Sequence, residues 1–396
     1  MIAFFLAPIY ILVIIYILWR FLAWLRACHC IFARKRMQIT IILGVVFAAS
    51  TILTAFLLPV SELQRWFKLI GSYWLGTLLY IILIVGLADI AGIVLQGCKW
   101  ISPEKLSSRK TFVTTGACCF ILITLLSVYG VLNAANIRTT DYEVTIDKSG
   151  GNLNSLNVVL VADLHLGYSV GSRQMTQMVH KLNKMDADLV VIAGDIFDNE
   201  YEALENPDQL TKILKSIKSR YGVFACFGNH DIEEKILAGF TFRSQNHKES
   251  DPRMDQLLAD ANIRLLRDES VLIDNSFYLI GRPDYKYPGR GISERKTPAQ
   301  LTAGLDPDKP VIVIDHQPRE LQELADAGVD LDLGGHTHDG QMFPSNLITG
   351  LMWENSCGYL QKDEMHSIVT SGVGVFGPAM RVGTKSEICN IKVNFR

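Results

Sequence analysis

The stretch from Asn157 to Gly167 reads Asn-Val-Val-Leu-Val-Ala-Asp-Leu-His-Leu-Gly. Its first five residues form a short apolar, β-branched run, the pattern of a strand buried on both faces. The run leads straight into Asp163 and His165. The same construction recurs four times. Leu189–Ala193 leads into Gly194-Asp195-Ile196-Phe197-Asp198, and Gly222–Phe227 into Gly228-Asn229-His230-Asp231. Val311–Ile314 leads into Asp315-His316-Gln317-Pro318, and Val329–Leu333 into Gly334-Gly335-His336-Thr337-His338. Between the runs lie helix-like stretches. Ser172–Met185 carries Met175, Val179 and Leu182 on one face, and Pro207–Ser219 carries Leu210, Ile213, Leu214 and Ile217. Strands alternating with helices imply an α/β domain. Ligands of such sheets gather beyond the carboxyl ends of the strands, so five polar strand ends point to one site.

The residues delivered there are aspartate, histidine and asparagine. No Ser–His–Asp order and no glycine-rich phosphate loop accompanies them. Carboxylate, imidazole and amide oxygen suit borderline-to-hard divalent cations. There are enough donors for two ions, which together can clamp the attacking and leaving oxygens of a displacement at phosphorus. Any one histidine is more often a satisfied core or surface residue. Five of the nine histidines falling in these blocks is a different matter.

The series Asp-x-His, Gly-Asp-x-x-Asp, Gly-Asn-His-Asp, a lone His, then Gly-His-x-His resembles the calcineurin-like metallophosphoesterases, over roughly Leu156 to Arg396. Asp163-Leu164-His165-Leu166-Gly167 and Gly335-His336-Thr337-His338-Asp339-Gly340-Gln341 are most similar to a bacterial branch of membrane-associated or exported phosphodiesterases. The resemblance implies a four-layer α/β/β/α sandwich and a dinuclear centre. By position it gives one metal to Asp163, His165 and His338, and the other to Asn229, His316 and His336, with Asp195 as the bridge. It implies that His230 contacts the substrate phosphate and helps the leaving oxygen, with Asp231 orienting His230. Mn, Fe and Zn all accept such ligands. Glycines 167, 194, 228 and 335 would let backbone pass close to the ions. Asp198 either supports a ligand or caps the segment that follows, and Asp315 and Asp339 are expected behind the ligands or in solvent. The run Arg282–Arg290 mixes cations with tyrosines and is either a substrate grip or a polar surface loop. The insert Ile232–Ile280 has no ligand spacing.

The 396 residues leave room for a second region, and the positive mean hydropathy shows where it is. Four apolar stretches, Ile2–Leu25, Ile39–Val60, Leu69–Leu95 and Phe112–Ala134, are each long enough to span a bilayer.

 The membrane region is therefore expected over residues 1–136 and the hydrolase domain over 137–396. The first stretch has no basic residue before it and is too long for a signal-peptide core. Basic residues concentrate in the first loop (Arg26, Arg34, Lys35, Arg36) and the third (Lys99, Lys105, Arg109, Lys110). Those loops are expected in the cytoplasm, which places the N-terminus and everything after Ala134 outside, on a cell (inner) membrane. Asp89 lies inside the third span, where a charge is costly and often functional. The alternative is packing between helices, which Ala88 and Gly92 would permit.

With 38 basic and 40 acidic residues the chain offers no reason to expect a nucleic-acid partner. The eight cysteines (Cys28, Cys30, Cys98, Cys118, Cys119, Cys226, Cys357, Cys389) lack CxxC spacing on the hydrolase side and are expected as mostly buried free thiols. Cys28 and Cys30 stand where lipid could be attached. The expected activity is hydrolysis of a phosphoester, mono- or diester, with an envelope or lipid-linked ester and the membrane lipid itself as partners. The reading from another class is a metal-binding membrane sensor or scaffold with a phosphoesterase-like domain.

Overall fold

The computed structural model describes residues 2–98, 101–232, 235–237, 240–242, 249–289 and 292–396. Lys99 of the third loop and Arg290 lie outside the described residues. The chain divides into two compact units, one chiefly before residue 132 and the other chiefly after it.

The first unit is helical. Helices α1 (Ile2–Cys28), α2 (Lys35–Leu57), α3 (Glu62–Gly97) and α5 (Arg109–Ala134) are joined by short connections that include the single turn α4 (Pro103–Leu106). The four long helices are long and apolar enough to cross a membrane. At 36 residues α3 would reach about 54 Å, well beyond a hydrocarbon core of about 30 Å. Its start is set by Ser61, whose side chain accepts from the Gln64 amide. Asp89 is not alone in α3. Arg20 of α1 forms an ion pair with it, and the Tyr16 hydroxyl donates to the same carboxylate. An arginine inside the first apolar stretch is thus the partner that makes a charge in the third tolerable.

The second unit contains two six-stranded sheets. In chain order the strands are β1 (Ile137–Ile146), β2 (Ser155–Val161), β3 (Leu189–Ala193), β4 (Val223–Cys226), β5 (Lys235–Leu237), β6 (Phe240–Phe242), β7 (Ile263–Leu265), β8 (Glu269–Ile273), β9 (Phe277–Arg282), β10 (Val311–Asp315), β11 (Leu331–Gly334), β12 (Gly358–Lys362), β13 (Met365–Val369) and β14 (Ser386–Phe395). One sheet has the order β1-β14-β2-β3-β4-β7 and the other β12-β13-β11-β10-β9-β8. Strands β2, β3, β4 and β7 run parallel, as do β9, β10, β11 and β13. Their carboxyl ends therefore lie side by side within each sheet.

Alternation along the strands explains the layers. In β10, Ile312 and Ile314 enter a core shared with Val158, Leu160, Leu189 and Val191 of the other sheet. Val311 and Val313, on the opposite face, pack with Leu301 of α9 (Pro298–Thr302) and with Leu321 and Leu324 of α10 (Leu321–Asp326). In β2 and β3 the alternate residues Val159, Val161, Val190 and Ile192 are also buried, on the face away from the shared core. Helices α6 (Ser172–Leu182), α7 (Pro207–Lys215) and α8 (Pro252–Asp260) bring their own buried residues to this unit, among them Met175, Leu182, Leu210 and Leu258. A fully buried Leu, Ile or Val contributes about 1.5–3 kcal/mol. Strands apolar on both faces are thus stable only inside an α/β/β/α stack, and that is the fold.

Each of the five sequence runs is a strand. The insert Ile232–Ile280 supplies β7, β8 and the start of β9, which extend both sheets. The eight cysteines are unpaired, but burial holds only for Cys226 and Cys389; the others are partly or fully exposed.

Candidate metal centre

Strands β2, β3 and β4 are neighbours in one sheet and β10 and β11 in the other, so the five polar blocks meet at one end of the sandwich. The backbone turns sharply there. Asp163, His165, Asp195, His336 and His338 all have positive φ, between 46° and 71°. A side-chain-bearing residue in this region is strained by about 1–3 kcal/mol. Such strain persists when surrounding contacts hold it, and here they do. The amides of Asp163 and His165 donate to the carbonyls of Gly194 and Asp195, 3.0 Å each. The amide of His336 donates to the Asp163 carboxylate at 3.0 Å.

Two groups of donors result. Asp163, His165 and His338 converge in one, and Asp195, His316 and His336 in the other. His165 Nε2 lies 3.0 Å from His338 Nε2, and His336 Nδ1 lies 3.2 Å from His316 Nε2. Asp195 faces both groups: its Oδ2 is 3.1 Å from His316 Nε2 and 3.8 Å from His165 Nε2. Its Oδ1 accepts the His230 amide at 2.7 Å. The approach is close enough that a Cβ on Gly228 would sit 2.2 Å from Asp195 Oδ1. A residue with a side chain at 228 would displace the carboxylate.

The electrostatics are those of a site built around positive charge. Burial opposes ionisation of Asp163 and pushes its carboxyl up to about 6 despite the nearby histidines. Burial pushes His336 down to about 3, helped by the charge of His316. For His316 burial also works against the charged form, but the Asp195 carboxylate outweighs it and raises the imidazole.

The donor set fits divalent cations. Two nitrogen ligands at about 2.0–2.1 Å from one ion stand about 3 Å apart, which is the spacing of the paired imidazoles. His316 Nδ1 is 2.8 Å from the Ala193 carbonyl, a contact that fixes the ring and turns Nε2 inward. Asn229 Oδ1 is buried with no hydrogen-bond partner. An unsatisfied buried acceptor costs about 1–3 kcal/mol, a cost that coordination would remove.

His230 sits beside these groups without joining either. Its ring packs between His165 and Phe376, with centroids 5.2 and 4.4 Å away. Burial pushes its imidazole down to about 4. The partner expected for it, Asp231, does not orient it. The Asp231 carboxylate accepts the amides of Phe197 (2.8 Å) and Gly228 (2.7 Å), which ties the β3 and β4 loops together. Asn199 takes the role instead: its Oδ1 is hydrogen-bonded to His230 Nδ1, and its Nδ2 donates to the Ile232 carbonyl at 3.0 Å. A carboxylate already satisfied by two backbone amides has little left for an imidazole.

The remaining expectations divide. Asp198 Oδ1 lies 3.7 Å from His165 Nδ1, on the ligand-supporting side of its two readings. Asp315 is buried in an ion cluster behind His316, with Arg282 at 2.8 Å and Arg295 at 3.1 Å. Arg282 also reaches Glu320 at 2.8 Å and is fully buried, so this end of the run Arg282–Arg290 supports the sheet and does not grip substrate. Asp339 is half-buried at positive φ. Sequence reasoning missed Asn199, Phe376, Arg319, Trp353 and Arg381. Buried Arg381 donates to the carbonyls of Ser371 (2.6 Å) and Gly374 (2.8 Å) and contacts His338 Nδ1 at 3.3 Å. Only Asn199 carried a signal, since it directly follows Asp198 in the second block.

Residues 156–340 match the family model described as calcineurin-like phosphoesterase. A transmembrane protein with metallophosphoesterase domain from Danio rerio is 30% identical over 369 residues, 89% of this chain and 79% of that one. The Bos taurus protein of the same name is 29% identical, with 84% and 75% covered. The UDP-2,3-diacylglucosamine pyrophosphatase LpxG of Chlamydia trachomatis is 24% identical over 52% of this chain and 70% of its own. The family match runs from the start of β2 past His338 and so includes all five strand ends that carry the donors, and the chain belongs to the calcineurin-like metallophosphoesterases, hydrolases of phosphate esters.

Proposed function

We propose that the chain is an integral membrane enzyme that uses two divalent ions to hydrolyse a lipid-linked phosphoester outside the cytoplasm. Metallophosphoesterases generally use divalent metals. Here Asp163, His165 and His338 would hold one ion, and Asn229, His316 and His336 the other, with Asp195 shared. Mn, Fe and Zn all suit these donors. Such ions supply a hydroxide nucleophile and neutralise charge on the phosphoryl oxygens. The protein's own groups then have distinct tasks. Asp195 keeps the two donor groups in register and fixes the His230 backbone. Asn199 accepts from His230 Nδ1, which leaves Nε2 to face the bound phosphate, whose negative charge would favour the imidazolium that donates to the leaving oxygen. Phe376 packs on the ring and limits its motion.

The lipid-linked reading rests on one observation. Helix α11 (Ser345–Met352) exposes Leu347, Ile348, Leu351 and Met352, and Phe343 just before it is exposed too. Contiguous apolar exposure of this kind marks a surface that meets something apolar. The helix leads directly into Trp353, whose ring stands 5.2 Å from that of His336. An acyl or prenyl chain laid on α11 would bring its head group towards the donors. The name of the LpxG relative, a UDP-2,3-diacylglucosamine pyrophosphatase, is in keeping with this. Replacing Leu347, Ile348, Leu351 and Met352 together by Ser should lower kcat/KM for a long-chain phosphodiester in vesicles by about 10-fold or more. Activity on water-soluble bis(4-nitrophenyl) phosphate should stay within about twofold. Equal effects on both substrates would remove the reason to invoke a lipid.

Orientation follows from the basic residues of the first and third loops, with the membrane region ending at 136 and the hydrolase domain beginning at 137. Reporter fusions after Asn136 and after Arg396 should both behave as extracytoplasmic. Fusions active only in the cytoplasm would invert the topology.

A further inference from the structure

We propose that Arg319, clasped between Tyr285 and Trp353 beside His336, is an anion subsite that takes the second phosphoryl group of a diphosphate ester. The inference builds on the hydrolase reading above and narrows its substrate. Three contacts fix the guanidinium. Its Cζ lies 4.6 Å from the centre of the Trp353 ring and 5.6 Å from that of Tyr285. Its Nε donates to Gln317 Oε1 at 2.8 Å. Gln317 is itself held, since its Nε2 donates to the buried Asp284 carboxylate at 2.6 Å. Asp284 in turn accepts the amides of Lys286 and Tyr287, 2.9 Å each, and so anchors the turn that carries Tyr285.

What the guanidinium lacks is an acid. The neighbouring Arg282 and Arg295 are both paired with Asp315 and Glu320. Among the described residues Arg319 has no carboxylate partner, and neither of its Nη atoms has an acceptor. A surface arginine is often unpaired, but such a side chain is ordinarily free to move. Here aromatic faces and a hydrogen bond at Nε hold the fork while both Nη groups stay open, a preorganised receptor for an oxyanion. Trp353 touches both Arg319 and His336, which puts the fork next to the donor groups. A phosphate bound at those groups fills one anion position. The fork offers a second, and two phosphoryl groups sharing one oxygen would occupy both.

In the hydrolysis, the oxygen of water bonds to one phosphorus and the bridging P–O bond of that phosphorus breaks. The bridging oxygen leaves with the second phosphoryl group and one proton of the water. Two monophosphates result, with no other reactant. The source of the diphosphate, lipid or nucleotide, is separated by choice of substrate.

The full-length protein in detergent or nanodiscs, loaded with Mn, is assayed on farnesyl diphosphate, farnesyl phosphate, UDP-glucose and bis(4-nitrophenyl) phosphate. The wild type should prefer farnesyl diphosphate to farnesyl phosphate. Arg319→Ala should lower kcat/KM on the diphosphates about 10- to 100-fold, chiefly through KM. It should leave bis(4-nitrophenyl) phosphate within about threefold and metal content unchanged. Arg319→Lys, which keeps charge without the fork, should fall between. Equal losses on all substrates, a loss of metal, or a wild type that does not cleave diphosphates would each overturn the subsite. If both diphosphates depend on Arg319 but UDP-glucose is the better substrate, the subsite stands and the lipid-linked reading falls. If farnesyl diphosphate is preferred and Arg319→Ala is indifferent, the subsite falls and the lipid-linked reading stands.

Discussion

Asp195→Asn is expected to empty the site and abolish turnover together. The Asp195 carboxylate faces both donor groups. One carboxylate oxygen lies 3.1 Å from His316 Nε2, and the same oxygen lies 3.8 Å from His165 Nε2. Asparagine has almost the same shape, so the fold should survive; Asp195 sits in a loop after β3, and its neighbours Ile196 and Phe197 remain buried. The amide instead removes the negative charge that offsets two cations and puts an N–H where a second acceptor stood. Metal per chain should fall below one, and kcat/KM should drop by about three orders of magnitude or more, because both the nucleophile and the charge neutralisation depend on the ions. Elemental analysis beside kinetics decides the matter. A variant that kept two ions and near-normal turnover would show that Asp195 is not the shared ligand.

Much of this site could be read in the chain because the same local rule is repeated. A strand buried on both faces must be apolar throughout, so its end is visible where the first Asp, Asn or His appears. Leu189–Ala193 ending at Asp195 and Val311–Ile314 ending at His316 are examples. Edge strands obey no such rule. Strand β12 alternates between partly buried and exposed residues, and β8 is largely exposed, so neither stands out from loop sequence. Strand β14 lies far from β1 and β2 in sequence but pairs with both, and that pairing is set by the whole domain. Side-chain partnership is harder still. Asp231 directly follows His230, and the family resemblance implies that it orients the imidazole. The turn instead points its carboxylate at the Phe197 and Gly228 amides, and Asn199 reaches the imidazole from another loop. Arg319 and Trp353 come together only because α11 returns the chain to the mouth of the site.

The contrast with Asp195 is His230→Ala, which should keep the metals and lose the chemistry. His230 is in neither donor group. Its ring is held by Asn199 at Nδ1 and packed on Phe376, an arrangement that fixes an imidazole for work at its other nitrogen. Removing the ring leaves Asp163, His165, His338, Asp195, Asn229, His316 and His336 in place. Metal content should stay close to two per chain while turnover falls by roughly two to four orders of magnitude, the range general acid–base help supplies. The loss should shrink for substrates with very good leaving groups, because these need little protonation. Asn199→Ala probes the same interaction from outside the site. It leaves the ring but removes the acceptor at Nδ1, so the imidazole can turn or change tautomer. Turnover should fall by about 10-fold, with the same leaving-group trend and unchanged metal. Asp231→Asn should behave differently, since its carboxylate serves two backbone amides: any loss there should come with reduced thermal stability and should not depend on the leaving group. If His230→Ala empties the site, the residue is a ligand. If it keeps both ions and full activity on a poor leaving group, the imidazole has no part in the reaction. A leaving-group dependence shared by His230→Ala and Asn199→Ala, and absent from Asp231→Asn, is the pattern that the geometry requires.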